Sequence, residues 1–84
     1  MYEILFSKKS VTFIKSLDKG YKNKIKEIIK RLQFNPFIYP YKKIKGGENL
    51  YRIRAGKYRI LYEINKEKRK IIILKIDKRS KIYK

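Results

Sequence analysis

Residues 50–64 read LYRIRAGKYRILYEI. Apolar and charged residues alternate through this stretch, the period of a β-strand with one covered face. A two-residue loop at Ala55-Gly56 would fold it into an antiparallel hairpin. That loop pairs Arg54 with Lys57, Ile53 with Tyr58, Arg52 with Arg59, and Tyr51 with Ile60. Tyr51, Ile53, Tyr58, Ile60, Tyr62 and Ile64 then share one face, which must be packed against something. Arg52, Arg54, Lys57 and Arg59 share the other, with no carboxylate until Glu63.

The cover for the apolar face lies upstream. Tyr2 to Phe6 alternate as a short strand, and Ser7 is placed to cap a helix. Val11, Ile14 and Leu17 follow at helical spacing, widened by Phe13, until Asp18 and Gly20 interrupt. Tyr21, Ile25, Ile28, Ile29 and Leu32 form a second helical face, and Pro36 ends it. The two helices read as a helical hairpin. Phe37 to Glu48 is a connector punctuated by Pro40, Gly46 and Gly47. Downstream, Asn65–Arg69 is a polar turn. Lys70–Ile76 is a further strand, apolar on both faces and so central or covered on both sides. Residues 77–84, DKRSKIYK, form a basic tail. The expected order is β-α-α-β-β-β, an α+β domain with a helical hairpin on one face of a mostly antiparallel sheet. Residues 1–84 leave room for one domain and one core.

Composition narrows the chemistry. There is no cysteine and no histidine, which excludes disulfides, thiolate metal sites, a thiol nucleophile and the usual general base near neutral pH. Only seven Asp and Glu are present, so neither a metal nor an organic cofactor is expected. Against them stand 25 Lys and Arg, a net charge of +18. A surface of that kind selects polyanions as partners. The longest apolar run, Ile71–Leu74, is far short of the roughly 18 residues of a membrane span. The opening MYEILFSKK lacks the apolar stretch of a signal peptide. The expected location is the cytoplasm, with no membrane partner.

The arginine face is the candidate site. Like charges directly opposite on a sheet are destabilising, so Arg52 facing Arg59 serves an anion better than it serves the fold. Arginine's planar fork fits phosphate oxygens bidentately, where lysine offers a point charge. Arg79 and Tyr83 follow the last strand, where both can reach the edge of this face and Tyr83 can stack on a nucleobase. Core packing explains Tyr83 equally well, and a solvated tail explains Arg79. Lys42, Lys43 and Lys45, ahead of Gly46-Gly47, can track a phosphate backbone or simply be a basic loop. On these residues alone, an enzyme, an interaction module and a non-catalytic RNA-binding protein all stay open.

Tyr51-Arg52-Ile53-Arg54, Gly56-Lys57-Tyr58-Arg59-Ile60-Leu61-Tyr62, and Lys78-Arg79 ahead of Ile82-Tyr83 resemble the RelE/ParE toxin superfamily, and within it the RelE-like ribosome-dependent mRNA endonucleases. The resemblance covers nearly the whole chain in element order. The hairpin signature is shared with ParE-type gyrase inhibitors, whereas Arg79 and Tyr83 favour the RNA-cleaving branch. The resemblance implies a toxin of a type II toxin–antitoxin pair, held by a cognate RelB-like antitoxin in a hetero-oligomer and acting on mRNA at the ribosome. It implies attack of a ribose 2′-hydroxyl on the adjacent phosphate. Arg52 and Arg54 match the basic strand positions near the scissile phosphate, and Arg59 the arginine that stabilises the transition state. Arg79 matches the arginine tied to leaving-group protonation, and Tyr83 the stacking aromatic. Lys43, Lys45, Lys57 and Lys78 are the phosphate-binding candidates around them. The chain departs from the family in carrying arginine at both strand positions that are lysine in its best-known members. Arginine stays protonated and is a poor base. Either Lys57 or another nearby lysine supplies the base, or the reaction relies on electrostatics and geometry.

Overall fold

The computed structural model describes residues 1–78. The elements in order are β1 (Glu3–Phe6), α1 (Lys8–Lys15), α2 (Lys19–Phe34), β2 (Tyr41–Lys43), β3 (Leu50–Ala55), β4 (Tyr58–Asn65) and β5 (Lys70–Lys78). The strands form one sheet in the order β1-β5-β4-β3-β2, parallel between β1 and β5 and antiparallel elsewhere. The α+β reading and its element order hold. β2 is an addition, a short edge strand inside the stretch expected to be a connector.

The hairpin register differs from the expected one. Its turn is Gly56-Lys57, so Ala55 pairs with Tyr58, Arg54 with Arg59, Ile53 with Ile60, and Tyr51 with Tyr62. The reason is backbone geometry. A tight two-residue turn that matches strand twist needs positive φ at its first central position. Gly56 has φ +61 and reaches it without strain, whereas Ala55 would not. The turn moves by one residue, so each cross-strand partner changes by two and both faces stay intact. Arg54, not Arg52, therefore stands opposite Arg59.

The inward face matches its expected membership and gains Ala55. Tyr51, Ile53, Tyr58, Ile60, Tyr62 and Ile64 are buried, together with Ile71, Ile73 and Ile76 of β5. Ile25, Ile28, Ile29 and Leu32 of α2 complete the same core. β5 switches phase between Ile73 and Ile76. Tyr62 pairs with Ile73 but Leu61 with Lys75, so Leu74 is an extra residue, a β-bulge. The bulge keeps Ile76 inside and turns Lys75 and Asp77 outward, with Asp77 opposite Arg59.

The start of α1 clamps that bulge. The Ser7 hydroxyl accepts the Ser10 N–H at 3.1 Å and donates to the Leu74 carbonyl at 2.8 Å. The buried Ser10 hydroxyl lies 2.9 and 3.2 Å from the Ser7 and Ile73 carbonyls. Capping and bulge satisfaction are thus one network, which binds α1 to β5 where β1 ends.

The stretch from α2 to β2 is held from below. The Tyr62 hydroxyl, fully buried, donates to the Pro36 carbonyl. Burial, reinforced by Tyr51 and then Tyr41, pushes the Tyr62 phenol well above the usual tyrosine range. Phe37 packs on Tyr41 and Tyr51 with ring centroids 4.8 and 5.2 Å apart. These contacts fix β2 along β3. Tyr62→Phe leaves the Pro36 carbonyl buried and unpaired, a loss of about 1–3 kcal/mol. A thermal melt of that variant is expected to fall by roughly 4 °C or more. An unchanged melting temperature would show that this bond adds nothing net.

Candidate functional site

Alternation along β3 and β4 decides which side chains face outward. Arg52, Arg54 and Arg59 lie on the sheet face opposite α2, with Arg52 and Arg59 half-buried and Arg54 exposed. The three arginines line one cavity of about 270 Å³ with Pro40, Tyr41 and Lys42. Lys42 reaches it from β2, where the register sets it directly opposite Arg52. The Tyr41 ring turns to the inner face, against Phe37 and Tyr51. Two cross-strand pairs of like charge therefore stand side by side, Lys42 with Arg52 and Arg54 with Arg59.

Nothing in the described residues neutralises them. The ion pairs there join Arg31 to Glu27, Lys70 to Glu3 and Lys75 to Asp77, and none involves the cavity. The Nε of Arg59 is buried with no hydrogen-bond partner among the described residues. A buried guanidinium N–H without an acceptor costs stability unless a ligand oxygen meets it. Asp77 stands across from Arg59 on β5, yet its carboxylate lies 3.6 Å from the Lys75 Nζ. It borders a neighbouring depression that Arg59 shares with Phe13 and Lys78. Arg59 thus lines both hollows.

The expected lysines are spread out. Lys57 occupies the hairpin turn and faces a separate hollow bordered by Tyr21, Lys24 and Glu27 of α2. It does not share the arginine cavity. Lys43 pairs with Tyr51, out of phase with Arg52. Lys45 is exposed in the turn after β2. Lys78 pairs with Tyr58, and its Nζ lies 5.1 Å from the centre of the Tyr21 ring. Arg79 and Tyr83 lie outside the described residues. Lys42, absent from the candidates that the sequence singles out, is the lysine of its group that lines the cavity; three residues are too few to show a strand period. Among the described residues no group of three acidic side chains could hold a metal ion.

A cluster of fixed cations, with one guanidinium N–H that no described residue meets, can bind a phosphodiester and stabilise charge building on it. It holds no thiol and no imidazole, so covalent catalysis by those groups is excluded.

A further hollow, of about 630 Å³, lies between α1, α2 and the free edge of β1. Ile4, Val11, Ile14 and Ile29 line it, and Phe6 beside them is 43% exposed. Lys15, Lys19, Lys22, Lys26 and Lys30 surround it. No helix of the described residues is long and apolar enough to cross a membrane.

Known proteins share this architecture. The profile of the family described as "ParE toxin of type II toxin-antitoxin system, parDE" matches residues 4–83. Toxin RelE3 of Methanocaldococcus jannaschii is 38% identical over 85 residues, covering 96% of this chain and 94% of the relative. The archaeal RelE–RelB complex from Pyrococcus horikoshii OT3 contains a chain 30% identical to this one. It superposes with a TM-score of 0.80 over 93% of this chain and 94% of that one. The RelB–RelE antitoxin–toxin complex from Methanococcus jannaschii contains one 36% identical, with a TM-score of 0.68 and 94% coverage of both chains. Fold, profile and relatives agree: the chain belongs to the RelE/ParE toxin superfamily of type II toxin–antitoxin systems.

Proposed function

We propose that this toxin is a ribosome-dependent mRNA endoribonuclease that stops translation in the cytoplasm and is held in check by a RelB-like antitoxin. The observation that carries the reading is the convergence of Arg52, Arg54 and Arg59 on one cavity without a carboxylate partner. In the reaction, a ribose 2′-hydroxyl attacks the adjacent phosphate and the bond to the 5′-oxygen breaks. The products are a 2′,3′-cyclic phosphate and a free 5′-hydroxyl. No metal is required, because the arginines carry the charge stabilisation. Arg59, with its unmet Nε–H, clamps the non-bridging oxygens. Arg52 and Arg54 hold the flanking backbone. Arg79 and Tyr83 take the leaving-group and base-stacking roles that the family resemblance implies. Lys43, Lys45, Lys57 and Lys78 extend the basic surface along a longer polyanion.

RelB is named as the partner in the archaeal complexes, which supports an antitoxin of that type here. The groove between α1, α2 and β1 suits an amphipathic helix with acidic flanks, since its floor is apolar and its rim carries five lysines. It is built by the helices and the β1 edge, whereas the arginine cavity is built by β2, β3 and β4. An antitoxin anchored in the groove reaches the arginines only through a second segment.

The ParE name of the matched family keeps gyrase inhibition as the competing reading. Purified toxin added to translating ribosomes is expected to leave new mRNA 5′ ends inside codons. Blocked supercoiling by gyrase, with intact mRNA, would favour the ParE reading. Arg59→Lys is expected to slow single-turnover cleavage by about 100-fold or more, the effect of losing one preorganised donor fork. Ribosome binding is expected to weaken far less, since many cations share it. Wild-type cleavage by Arg59→Lys would remove Arg59 from the site.

Val11→Glu tests the groove, because it sets a carboxylate on an apolar floor. It is expected to weaken association with the co-transcribed antitoxin by tenfold or more in calorimetric titration, and to leave the melting temperature of the free toxin nearly unchanged. Undiminished affinity would place the antitoxin elsewhere.

A further inference from the structure

We infer that Lys42 is the proton acceptor of the cleavage reaction, a role that the family's strand positions cannot fill in this chain. The inference rests on the RNA-cleavage reading of the arginine cavity. Among the described residues four cations line that cavity, and three are arginines, which do not release their protons in water. Lys42 is the fourth, and among the described residues it is the one cation there whose side chain is chemically able to serve as a base. β2 brings it in from the sheet edge, opposite Arg52 and on the same face as Arg54 and Arg59. The other candidates stand elsewhere. Lys57 faces the hollow beside α2. The Asp77 carboxylate is paired with Lys75 and borders the neighbouring depression. Tyr41 has its ring packed on Phe37 and Tyr51.

The step balances simply. The neutral Lys42 amine takes the 2′-hydroxyl proton as the oxygen's electron pair forms the bond to phosphorus. The 5′-oxygen leaves with the electrons of the broken bond and takes its proton in the leaving-group step proposed above for Arg79, which is reprotonated from water. Lys42 then returns its proton to solvent. A positioned base of this kind contributes about 100- to 10,000-fold. The arginines meanwhile hold the phosphate and its developing charge, so proton transfer and charge stabilisation fall to different residues.

The absence of cysteine from the chain makes a direct test possible. In Lys42→Cys the new thiol is the single site for alkylation. Treatment with 2-bromoethylamine rebuilds a primary amine of nearly lysine length. Treatment with (2-bromoethyl)trimethylammonium installs a permanent positive charge that cannot accept a proton. Single-turnover cleavage on programmed ribosomes is the readout, with wild-type protein alongside. The expected results are a loss of 100-fold or more in Lys42→Cys and in Lys42→Arg, recovery to within about tenfold with the amine, and none with the quaternary ammonium. Equal recovery with both reagents would show that Lys42 supplies charge alone and would overturn the assignment. Undiminished cleavage by Lys42→Arg, or no recovery with the amine, would overturn it as well. Absence of cleavage by the wild-type protein would sink the nuclease reading itself, a result separate from any of these. Melting curves of the variants are expected to match wild type because Lys42 is exposed.

Discussion

The positive φ of Gly56 sets the register on which the rest depends. A tight hairpin turn admits a left-handed residue at its first central position, and glycine alone enters that region freely. With Gly56 there, Ala55 and Tyr58 close the hairpin and every later pair follows. The alternation then assigns Tyr51, Ile53, Ile60 and Tyr62 to the core, and Arg52, Arg54 and Arg59 to the opposite face. Because the core side is buried, a shift of one strand by a single residue would bury arginine and expose isoleucine. Burial thus locks the faces, and the glycine locks the pairing.

The same register creates an electrostatic load. Arg54 stands opposite Arg59, and Lys42 opposite Arg52. Each such contact costs a few tenths of a kcal/mol to about 1 kcal/mol in an exposed sheet. A fold with the core described above has no need of them, and it has carboxylates that it uses elsewhere on the surface. An anion held between the strands converts both repulsions into attractions, so occupancy of the cavity is linked to stability. Neutralisation by the carboxylates of a partner protein draws on the same source of free energy as RNA binding. Under the proposed function, that shared source lets one surface serve both RNA and an acidic partner.

Much of this was legible from residue order, and the parts that were not have definite causes. Period-two alternation in 50–64 identified the core face and the arginine face because it reports on burial, which dominates folding. The helices followed from their apolar spacing and from Ser7. Pairing did not follow, since Ala55-Gly56 and Gly56-Lys57 loops give the same two faces. The discriminating signal was that glycine must come first in such a turn. The bulge at Leu74 was also written in the chain, as the change of phase from Ile71 and Ile73 to Ile76. β2 was not, since three exposed residues carry no burial pattern. Its position comes from the Tyr62 bond to Pro36 and the aromatic packing of Phe37, both long-range contacts. Lys42 was hidden with it, and Lys57 looked closer to the arginines than the turn allows.

The division of elements within the cavity bears on how it works. Arg52, Arg54 and Arg59 sit on β3 and β4, strands paired on both sides and backed by the core. Preorganised charge stabilisation requires such stiffness, because donors that must move lose the advantage over water. Lys42 sits on a three-residue edge strand with one neighbour. A group that must meet a hydroxyl, release its proton to solvent and reset gains from freedom that would weaken a clamp. In a chain without histidine, the proposed assignment joins an edge-strand amine for proton transfer to guanidiniums fixed on central strands. On that proposal, arginine at both central-strand positions is the consistent choice: with a proton acceptor on the edge strand, β3 and β4 need only hold a phosphate, which the guanidinium fork does better than an amine.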